Sequence, residues 1–172
     1  GFKTGNVLEP AMGVGNFFGM LPEEMKNSRL YGVELDSITG RIAQQLYPKA
    51  NITVAGFETT DRRDFYDLAI GNVPFGQFKV ADRRYDRLNL PIHEYFIAKT
   101  LDKVRPGGII AFVTSSFTMD KRTSMGVLGD MNKYTQYQAA EALREAANNP
   151  NGTAGMGIGM GASVLVARYY GM

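Results

Sequence analysis

The chain has 172 residues, of which 44% are hydrophobic, and a formal net charge of +2. This length and composition fit one globular domain, and the charge is too small to indicate a nucleic-acid partner without a local patch. The sequence has no cysteine and a single histidine, His93, which excludes disulfides and argues against a metal site. It shows neither an apolar run long enough to span a membrane nor a signal peptide, so we expect a cytoplasmic protein.

Short apolar strands alternate with helical segments from residue 6 to about residue 116. The predicted helices are Asn16–Met20, with an extension to Met25 left open, Ser37–Tyr47 and Ile92–Val104. The predicted strands are Asn6–Glu9, Leu30–Glu34, Ile52–Ala55, Asp67–Gly71 and Gly108–Thr114. Between the last helix and the last strand, Arg105-Pro106-Gly107-Gly108 is predicted to form a turn. The alternation predicts an α/β fold with a doubly wound, mostly parallel sheet.

The character of the sequence changes after about residue 122. An Ala-rich helix is predicted over Met131–Asn148, followed by the low-complexity run Gly155–Gly161 and a final strand, Ala162–Tyr170. We therefore divide the chain into a core, residues 1–122, and a helical and Gly/Met-rich tail, residues 123–172. The first residues lack an initiator Met and run straight into a strand, so we expect a piece of a longer protein.

The first candidate motif is a strand end followed by a glycine loop and a helix start, Glu9-Pro10-Ala11-Met12-Gly13-Val14-Gly15-Asn16-Phe17. Glycines allow a ligand to approach the backbone closely, and a helix N-terminus offers free N–H groups. This arrangement suits a nucleoside cofactor at the carboxyl end of the first strand. A tight turn without a ligand explains the same pattern equally well. The third glycine of a dinucleotide-binding fingerprint and the Gly-Lys-Ser/Thr of a P-loop are both absent.

The second candidate is Glu34, which ends the second predicted strand. A carboxylate at this position can accept hydrogen bonds from both hydroxyls of a ribose. The alternative is a capping role for the following helix, but Asp36 or Ser37 can supply that cap. We therefore assign Glu34 to a ribose.

The third motif is Asn72-Val73-Pro74-Phe75 at the end of the fourth predicted strand. Asn and Pro commonly end strands as turn residues, but here they follow a cofactor loop and a ribose acid in the same fold. The Asn72 side-chain oxygen and the Pro74 carbonyl can each accept one N–H of an amino group, which favours a pyramidal nitrogen with an available lone pair. Phe75 can stack on a base flipped out of a duplex. Positioning and electrostatics then favour an in-line displacement without a strong general base.

With the three motifs in this order, residues 1–122 resemble the adenine-specific (N6) DNA methyltransferases. The closer resemblance is to the methylase segment of large helicase–methylase proteins of bacterial mobile elements. Val73 replaces the first Pro of the family's Asn-Pro-Pro-Tyr/Phe signature. The resemblance implies a Rossmann-like methyltransferase fold, S-adenosylmethionine as the cofactor, no metal, and adenine N6 in DNA as the acceptor. It makes residues 1–122 the cofactor-binding and catalytic core, with Asn72, Pro74 and Phe75 as the catalytic residues.

The resemblance also implies which residues contact the cofactor. Glu34 would bind the ribose, the adenine would lie between Leu35 and Phe57, and Glu58 would sit near the adenine amino group. For Phe57, simple core packing is an equally good explanation. The methionine end would lie at residues of the first motif, Glu9, Ala11, Gly13 and Gly15. The remaining implied contacts are Pro10, Asn16, Phe17 and Asn72.

Beyond residue 122 the resemblance ends. The further helix and β-hairpin that complete the family's core are not recognisable, so we expect a truncated domain, and residues 125–162 instead resemble the C-terminal tail of stomatin/prohibitin-type proteins. The implied partners are DNA and a helicase or target-recognition domain of the same parent protein. Two alternatives stay open: methylation of another planar amine or amide, in an RNA base or a protein glutamine, and an inactive domain that binds nucleic acid or a protein partner.

A basic segment follows the third motif. It contains Lys79, Arg83, Arg84 and Arg87, which can contact phosphates beside a flipped base. Asp82 and Asp86 are interspersed among them, so the local balance is only +2. A solvated loop is the simpler interpretation.

Overall fold

The computed structural model describes residues 2–115 and 162–168. Six strands in these ranges form one sheet: Asn6–Glu9 (β1), Arg29–Glu34 (β2), Asn51–Val54 (β3), Tyr66–Asn72 (β4), Val104–Ser115 (β5) and Ala162–Arg168 (β6). The strand order is β3-β2-β1-β4-β5-β6, and the first five strands are parallel. The predicted α/β class with a mostly parallel sheet is confirmed.

Within residues 2–115, three helices connect the strands: Asn16–Gly19 (α1), Ser37–Leu46 (α2) and Ile92–Lys103 (α3). Three single turns of 3₁₀ helix lie at Glu23–Met25, Phe57–Thr59 and Asp86–Leu88. The predicted extension of the first helix to Met25 is wrong, since α1 ends at Gly19 and the turn at Glu23–Met25 is separate. Gly19 is a poor helix former, and Pro22 has no N–H to donate to a helical hydrogen bond.

Strand β5 begins four residues earlier than the sequence pattern predicts. It starts at Val104, directly after α3, so the predicted turn over residues 105–108 lies inside the strand. Tyr66 pairs with Val104 and Leu68 with Ile109, which leaves residues 105–108 as a bulge. Gly107 provides the left-handed backbone of this bulge with a φ of 80°. Pro106 and Gly107 interrupt the regular backbone, as their residue types predict. Because β5 pairs with β4 both before and after them, they lie within the strand.

The predicted final strand is confirmed as β6. It pairs antiparallel with β5, from Ser115 opposite Ala162 to Ile109 opposite Arg168. Residues 162–168 therefore belong to the same sheet as the core and cover the β5 edge. The predicted helix Met131–Asn148, the Gly/Met run and the stomatin-like resemblance fall outside the described residues.

Apolar side chains cover both faces of the sheet. Consecutive residues of a strand point to opposite faces, and Val7 and Leu8 of β1 belong to different core clusters. Leu8 packs with Tyr95 and Phe96 of α3, whereas Val7 packs with Met25 of the turn after α1. A third cluster joins Met12, Phe18 and Ala43. The sheet is therefore doubly wound, as predicted, and the carboxyl ends of β1 to β4 meet at one edge.

Candidate active site

A cavity of about 740 Å³ lies at this edge. Its walls are the segments that follow β1, β2, β3 and β4, so it spans the switch point of the strand order, between β1 and β4. Its volume falls in the usual range for a small-molecule site. Most of the predicted site residues line it: Pro10, Ala11, Gly13, Glu34, Leu35, Phe57, Glu58, Asn72, Pro74 and Phe75. Four do not: Glu9, Gly15, Asn16 and Phe17.

The Glu34 carboxylate is held by two backbone N–H groups. Gly13 donates to Oε2 at 2.8 Å and Asp36 donates to Oε1 at 2.8 Å. Asp36, not Glu34, caps α2, because its own carboxylate accepts from the N–H of Thr39 at 2.7 Å. Each Glu34 oxygen retains a free lone-pair direction, since a carboxylate offers about four acceptor sites. The carboxylate is thus fixed at the cavity wall with acceptor capacity for two further hydroxyl donors.

Gly13 and Gly15 have different roles. Gly13 lies at the cavity wall with a φ of 56°, and a Cβ placed on it would meet no atom within 4 Å. Gly15 has a φ of 86°, and a Cβ there would lie 2.5 Å from the Tyr47 ring. The Tyr47 hydroxyl also donates to the Gly15 carbonyl at 2.7 Å. Gly13 therefore leaves space for a ligand, whereas Gly15 lets the loop pack against the residue that follows α2.

Glu9 lies beneath the glycine loop rather than at the cavity wall. Its side chain is 2% exposed, and its Oε2 atom has no hydrogen-bond partner among the described residues. Burial raises the pKa of Glu9 to about 8, although the N–H groups of Phe17 and Phe18 favour the charged form. Asn16 is exposed and Phe17 is half-buried, both at the start of α1. Contact of these three residues with a cofactor stays a prediction.

Phe57 packs in the core and also lines the cavity. It is 4% exposed and stacks on Phe96 of α3, with ring centroids 4.8 Å apart, yet part of it lines the cavity. Glu58 follows it and folds its carboxylate against Gly56, where a Cβ would come within 2.0 Å of Oε1. Phe57 and Glu58 of this turn therefore line the same cavity as Leu35, which is 76% exposed.

The motif at the end of β4 alternates between solvent and core. Asn72 is exposed at the cavity wall, Val73 is 1% exposed and packs in the main core cluster, and Phe75 is 48% exposed. The buried Val73 side chain anchors the backbone between the Asn72 amide and the Pro74 carbonyl. Core packing thus constrains a segment that the family's first Pro would otherwise stiffen.

The structure adds residues that sequence reasoning missed. Phe78 is 60% exposed and lines the cavity together with Lys79, Val80 and Ala81. The sequence signal that could have identified Phe78 is a second aromatic residue three positions after Phe75. The mixed charges that follow it favour a solvated loop instead. Behind this segment, Lys99 of α3 is 5% exposed and forms an ion pair with Asp82 at 2.6 Å. No local pattern marked Lys99 as buried.

Comparisons with known proteins give relatives and structural neighbours. No family model matches the chain. It is 27% identical over 159 residues to the defense against restriction protein B of Escherichia phage P1, a match that covers 89% of this chain and 7% of that protein. It is 39% identical over 74 residues to the type II methyltransferase M.CvrRI of Paramecium bursaria Chlorella virus XZ-6E, covering 43% of this chain and 19% of that protein. The chain thus spans a small part of either relative.

Solved structures share the fold. A class I S-adenosylmethionine-dependent methyltransferase from Listeria monocytogenes matches 99% of this chain and 55% of its own, with a TM-score of 0.66 and 14% identity. The PH0226 protein of Pyrococcus horikoshii matches 66% of this chain and 50% of its own, with a TM-score of 0.50 and 16% identity. Within residues 2–115 and 162–168, no helix has the length and apolar character needed to cross a membrane. The chain has the Rossmann-like fold of S-adenosylmethionine-dependent methyltransferases.

Proposed function

We propose that this chain transfers a methyl group from S-adenosylmethionine to the N6 amino group of adenine in DNA. The observation that carries the proposal is that one cavity joins two walls. The glycine loop and Glu34 form one side, and Asn72, Pro74 and Phe75 form the other. A nucleoside cofactor on the first side and a flipped base on the second would bring their reacting atoms together within one enclosed space.

The cofactor side fits S-adenosylmethionine by the chemistry of its groups. Glu34 offers two oriented acceptors for the ribose hydroxyls, and Gly13 leaves its side of the loop open. The exposed Leu35 and the Phe57 ring suit the two faces of an adenine. The Oε2 atom of Glu9 has no hydrogen-bond partner among the described residues, and since Glu9 lies beneath the loop, an ammonium group at the methionine end would reach it through water. When bound, the cofactor supplies an electrophilic methyl carbon on a sulfonium sulfur.

The acceptor side holds an amino nitrogen in place. The Asn72 side-chain oxygen and the Pro74 carbonyl each accept one N–H, which localises the lone pair on the nitrogen. That lone pair would then face the methyl carbon that the bound cofactor supplies, and the cofactor's sulfur would keep the electrons of the carbon–sulfur bond. The nitrogen then loses one proton to solvent. Asn72 and Pro74 act by position and by their dipoles, so no residue has to be a strong base.

Two further features support DNA as the acceptor. Phe75 presents an exposed ring beside Asn72, as a stacking platform for an extrahelical base requires. Of the two curated relatives, one is named a type II methyltransferase and the other is named for defence against restriction. The Asn72-Val73-Pro74-Phe75 motif supplies two acceptors for one exocyclic amino group, and its resemblance to the signature of the adenine-specific methyltransferases favours adenine N6.

The test compares Asn72→Ala with a matched control, Asn27→Ala, which removes another exposed amide outside the cavity wall. Isothermal titration measures the affinity for the cofactor, and methyl transfer is followed to adenine-containing DNA, to RNA and to a glutamine peptide. We expect Asn72→Ala to lower the transfer rate to DNA by about 10²- to 10³-fold, the usual cost of one positioned hydrogen-bond partner, while cofactor affinity changes little. Asn27→Ala should behave as the wild type.

Each other outcome is informative. Equal transfer rates for Asn72→Ala and the wild type would remove Asn72 from the reaction. Transfer to RNA or to the peptide in preference to DNA would overturn the choice of acceptor. Retained DNA binding without measurable cofactor binding would overturn the proposed enzymatic activity and would favour an inactive nucleic-acid-binding domain.

A further inference from the structure

The segment between Phe75 and α3, residues 76–90, forms one side of the cavity and continues away from it; we name it the acceptor loop. We propose that the acceptor loop is a nucleic-acid-binding surface, in which Phe78 stacks on a base and Lys79, Arg83, Arg84 and Arg87 contact backbone phosphates. This inference rests on the proposed function, because it names how the substrate of the same cavity is held. It goes further by assigning residues that belong to none of the three motifs.

The exposed charge of the acceptor loop is more positive than its sequence indicates. The Asp82 side chain is only 11% exposed, and its Oδ2 atom accepts from Lys99 Nζ at 2.6 Å and from the Tyr95 hydroxyl at 2.9 Å. Burial tends to raise the pKa of Asp82, but these bonds hold that pKa below its ordinary value. Asp82 therefore stays ionised, and its charge is paired with Lys99 of α3. The exposed face of the loop then has four cations and one carboxylate, Asp86, a net charge of +3.

The three arginines of the acceptor loop are available to an outside partner. Arg83, Arg84 and Arg87 are exposed, and none of them forms an ion pair with a carboxylate in the described part of the chain. Lys79 donates only to a neutral acceptor, the Asn89 side-chain oxygen at 2.6 Å, on the exposed surface. Exposed, unpaired guanidinium groups are the usual contacts to phosphate oxygens.

The aromatic side chains favour a nucleic acid over other polyanions. Phe75 and Phe78 are 48% and 60% exposed, and both line the cavity. A Cβ on Gly76 would lie 2.5 Å from the Phe78 ring, so the glycine lets this ring lie against the backbone. Exposed rings next to a run of cations are the combination that binds bases by stacking and the strand by charge.

The loop is also fixed in shape before any partner arrives. Lys99 Nζ donates to the Glu58 carbonyl at 2.9 Å as well as to Asp82, which ties the loop to the turn that also lines the cavity. The Phe78 carbonyl accepts from the Ile92 N–H at 3.1 Å, and the buried Tyr85 donates its hydroxyl to Asp102 at 2.6 Å. A preformed surface loses less entropy on binding than a disordered one does.

The experiment compares the triple variant Arg83→Gln/Arg84→Gln/Arg87→Gln with a triple control of the same charge change, Arg29→Gln/Arg41→Gln/Lys49→Gln, whose residues are exposed outside the loop. Fluorescence anisotropy measures binding of single-stranded DNA, duplex DNA, RNA and a poly-glutamate peptide over a range of salt concentrations. We expect the loop variant to lose about tenfold or more in affinity at 0.1 M salt. The slope of log affinity against log salt should fall by about 2 to 3. The control variant should stay close to the wild type.

Equal losses in the loop variant and the control would overturn the inference, since net charge alone would then explain binding. Preference of the wild type for poly-glutamate over every nucleic acid would also overturn it. Methyl transfer by the same proteins separates this inference from the proposed function. If nucleic-acid binding depends on the acceptor loop but no methyl group is transferred, the inferred binding surface is supported and the proposed reaction is wrong. If methyl groups are transferred to adenine but the loop variant binds nucleic acid as well as the wild type does, the proposed reaction is supported and the inferred surface is wrong. Thermal unfolding of each variant verifies that the fold is intact.

Discussion

The two sides of the cavity are held by different kinds of interaction. The cofactor side, Pro10–Gly13 and Val33–Leu35, is fixed by hydrogen bonds between neighbouring turns at the sheet edge, such as Met12 N–H to the Val33 carbonyl at 3.0 Å. The acceptor side, residues 72–81, begins on the sheet at β4 but continues into a loop held by the buried pair of Asp82 and Lys99. The first side follows from strand order, whereas the second depends on long-range side-chain contacts, of which this pair is the most buried. The two sides should therefore respond differently to substitution.

The largest effect is expected for Lys99→Met, which removes the cation from the acceptor side. Asp82 would be left nearly buried without a partner charge, and the cost of such a break is about 3–5 kcal/mol of unfolding free energy. Urea unfolding at neutral pH measures it. The double variant Lys99→Met/Asp82→Asn should recover most of the loss, because a neutral amide can still accept from Tyr95. A loss for Lys99→Met of only about 1 kcal/mol, the scale of an exposed pair, would show that the loop is held in another way.

Of similar size is the pH dependence of stability that Glu9 causes on the cofactor side. Its pKa is raised from 4.5 to about 8 in the folded protein, so its contribution to stability is fully present below about pH 4.5 and is lost as pH rises through 8. Relative to Glu9→Gln, the wild type should lose about 1.4 kcal/mol of unfolding free energy per pH unit between those limits. Unfolding at pH 5, 6, 7 and 8 measures the difference.

A control for this measurement is Glu24→Gln, since Glu24 is exposed and its loss should leave the slope unchanged. Parallel pH curves for the wild type and Glu9→Gln would mean that the Glu9 carboxyl has an ordinary pKa in the folded protein.

A smaller effect is expected for Glu34→Gln, which breaks the cofactor side without removing core packing. An amide can satisfy only one of the two N–H donors from Gly13 and Asp36 and offers fewer acceptors to a ribose. Loss of hydrogen bonds to a charged group is worth about 1.5–3 kcal/mol, so the cofactor Kd should rise about tenfold to a hundredfold in isothermal titration. Asp36→Asn is the matched control, and an unchanged Kd for Glu34→Gln would remove the ribose assignment.

The smallest effect is expected for Phe78→Leu on the acceptor side. The substitution keeps an apolar side chain but removes the ring, and base stacking is worth about 1–3 kcal/mol per base, so the lower end is appropriate for one exposed ring. Oligonucleotide affinity should fall about fivefold, while cofactor affinity stays constant. Leu88→Ala, at another exposed apolar position of the acceptor loop, serves as the control. Equal affinities of Phe78→Leu and the wild type would show that Phe78 is not a stacking residue.

The same comparison explains what could be predicted from sequence. On the cofactor side, apolar runs, glycines and a terminal carboxylate are local signals, so the sequence alone predicts that Gly13 and Glu34 lie at the carboxyl edge of the sheet, and both line the cavity. Strand order in a parallel sheet then brings those strand ends together. The positions that differ are those where a second element decides the outcome. The bulge at residues 105–108 needs the pairing of β4 with β5, and Gly15 needs the Tyr47 ring.

The acceptor side offered fewer local signals. Lys99 lies in a helix whose other polar residues gave no reason to expect a buried cation, and its partner Asp82 is 17 residues away in the sequence. Burial of the pair depends on how the loop folds over α3, which periodicity does not encode. The sequence therefore favours a solvated loop, whereas in the structure Phe78 and Lys79 line the cavity.

The pairing of β5 with β6 has a consequence for how this fold can vary. Ser115 and Ala162 are opposite each other in the antiparallel ladder, at the end of β5 that lies on the cavity side of the sheet. The stretch between them leaves and rejoins the sheet at neighbouring points. Because its two anchors stay together whatever its length, an insertion or deletion there need not move the strands. Segments of different length can therefore be exchanged at this position, beside the cavity, while the sheet itself stays unchanged.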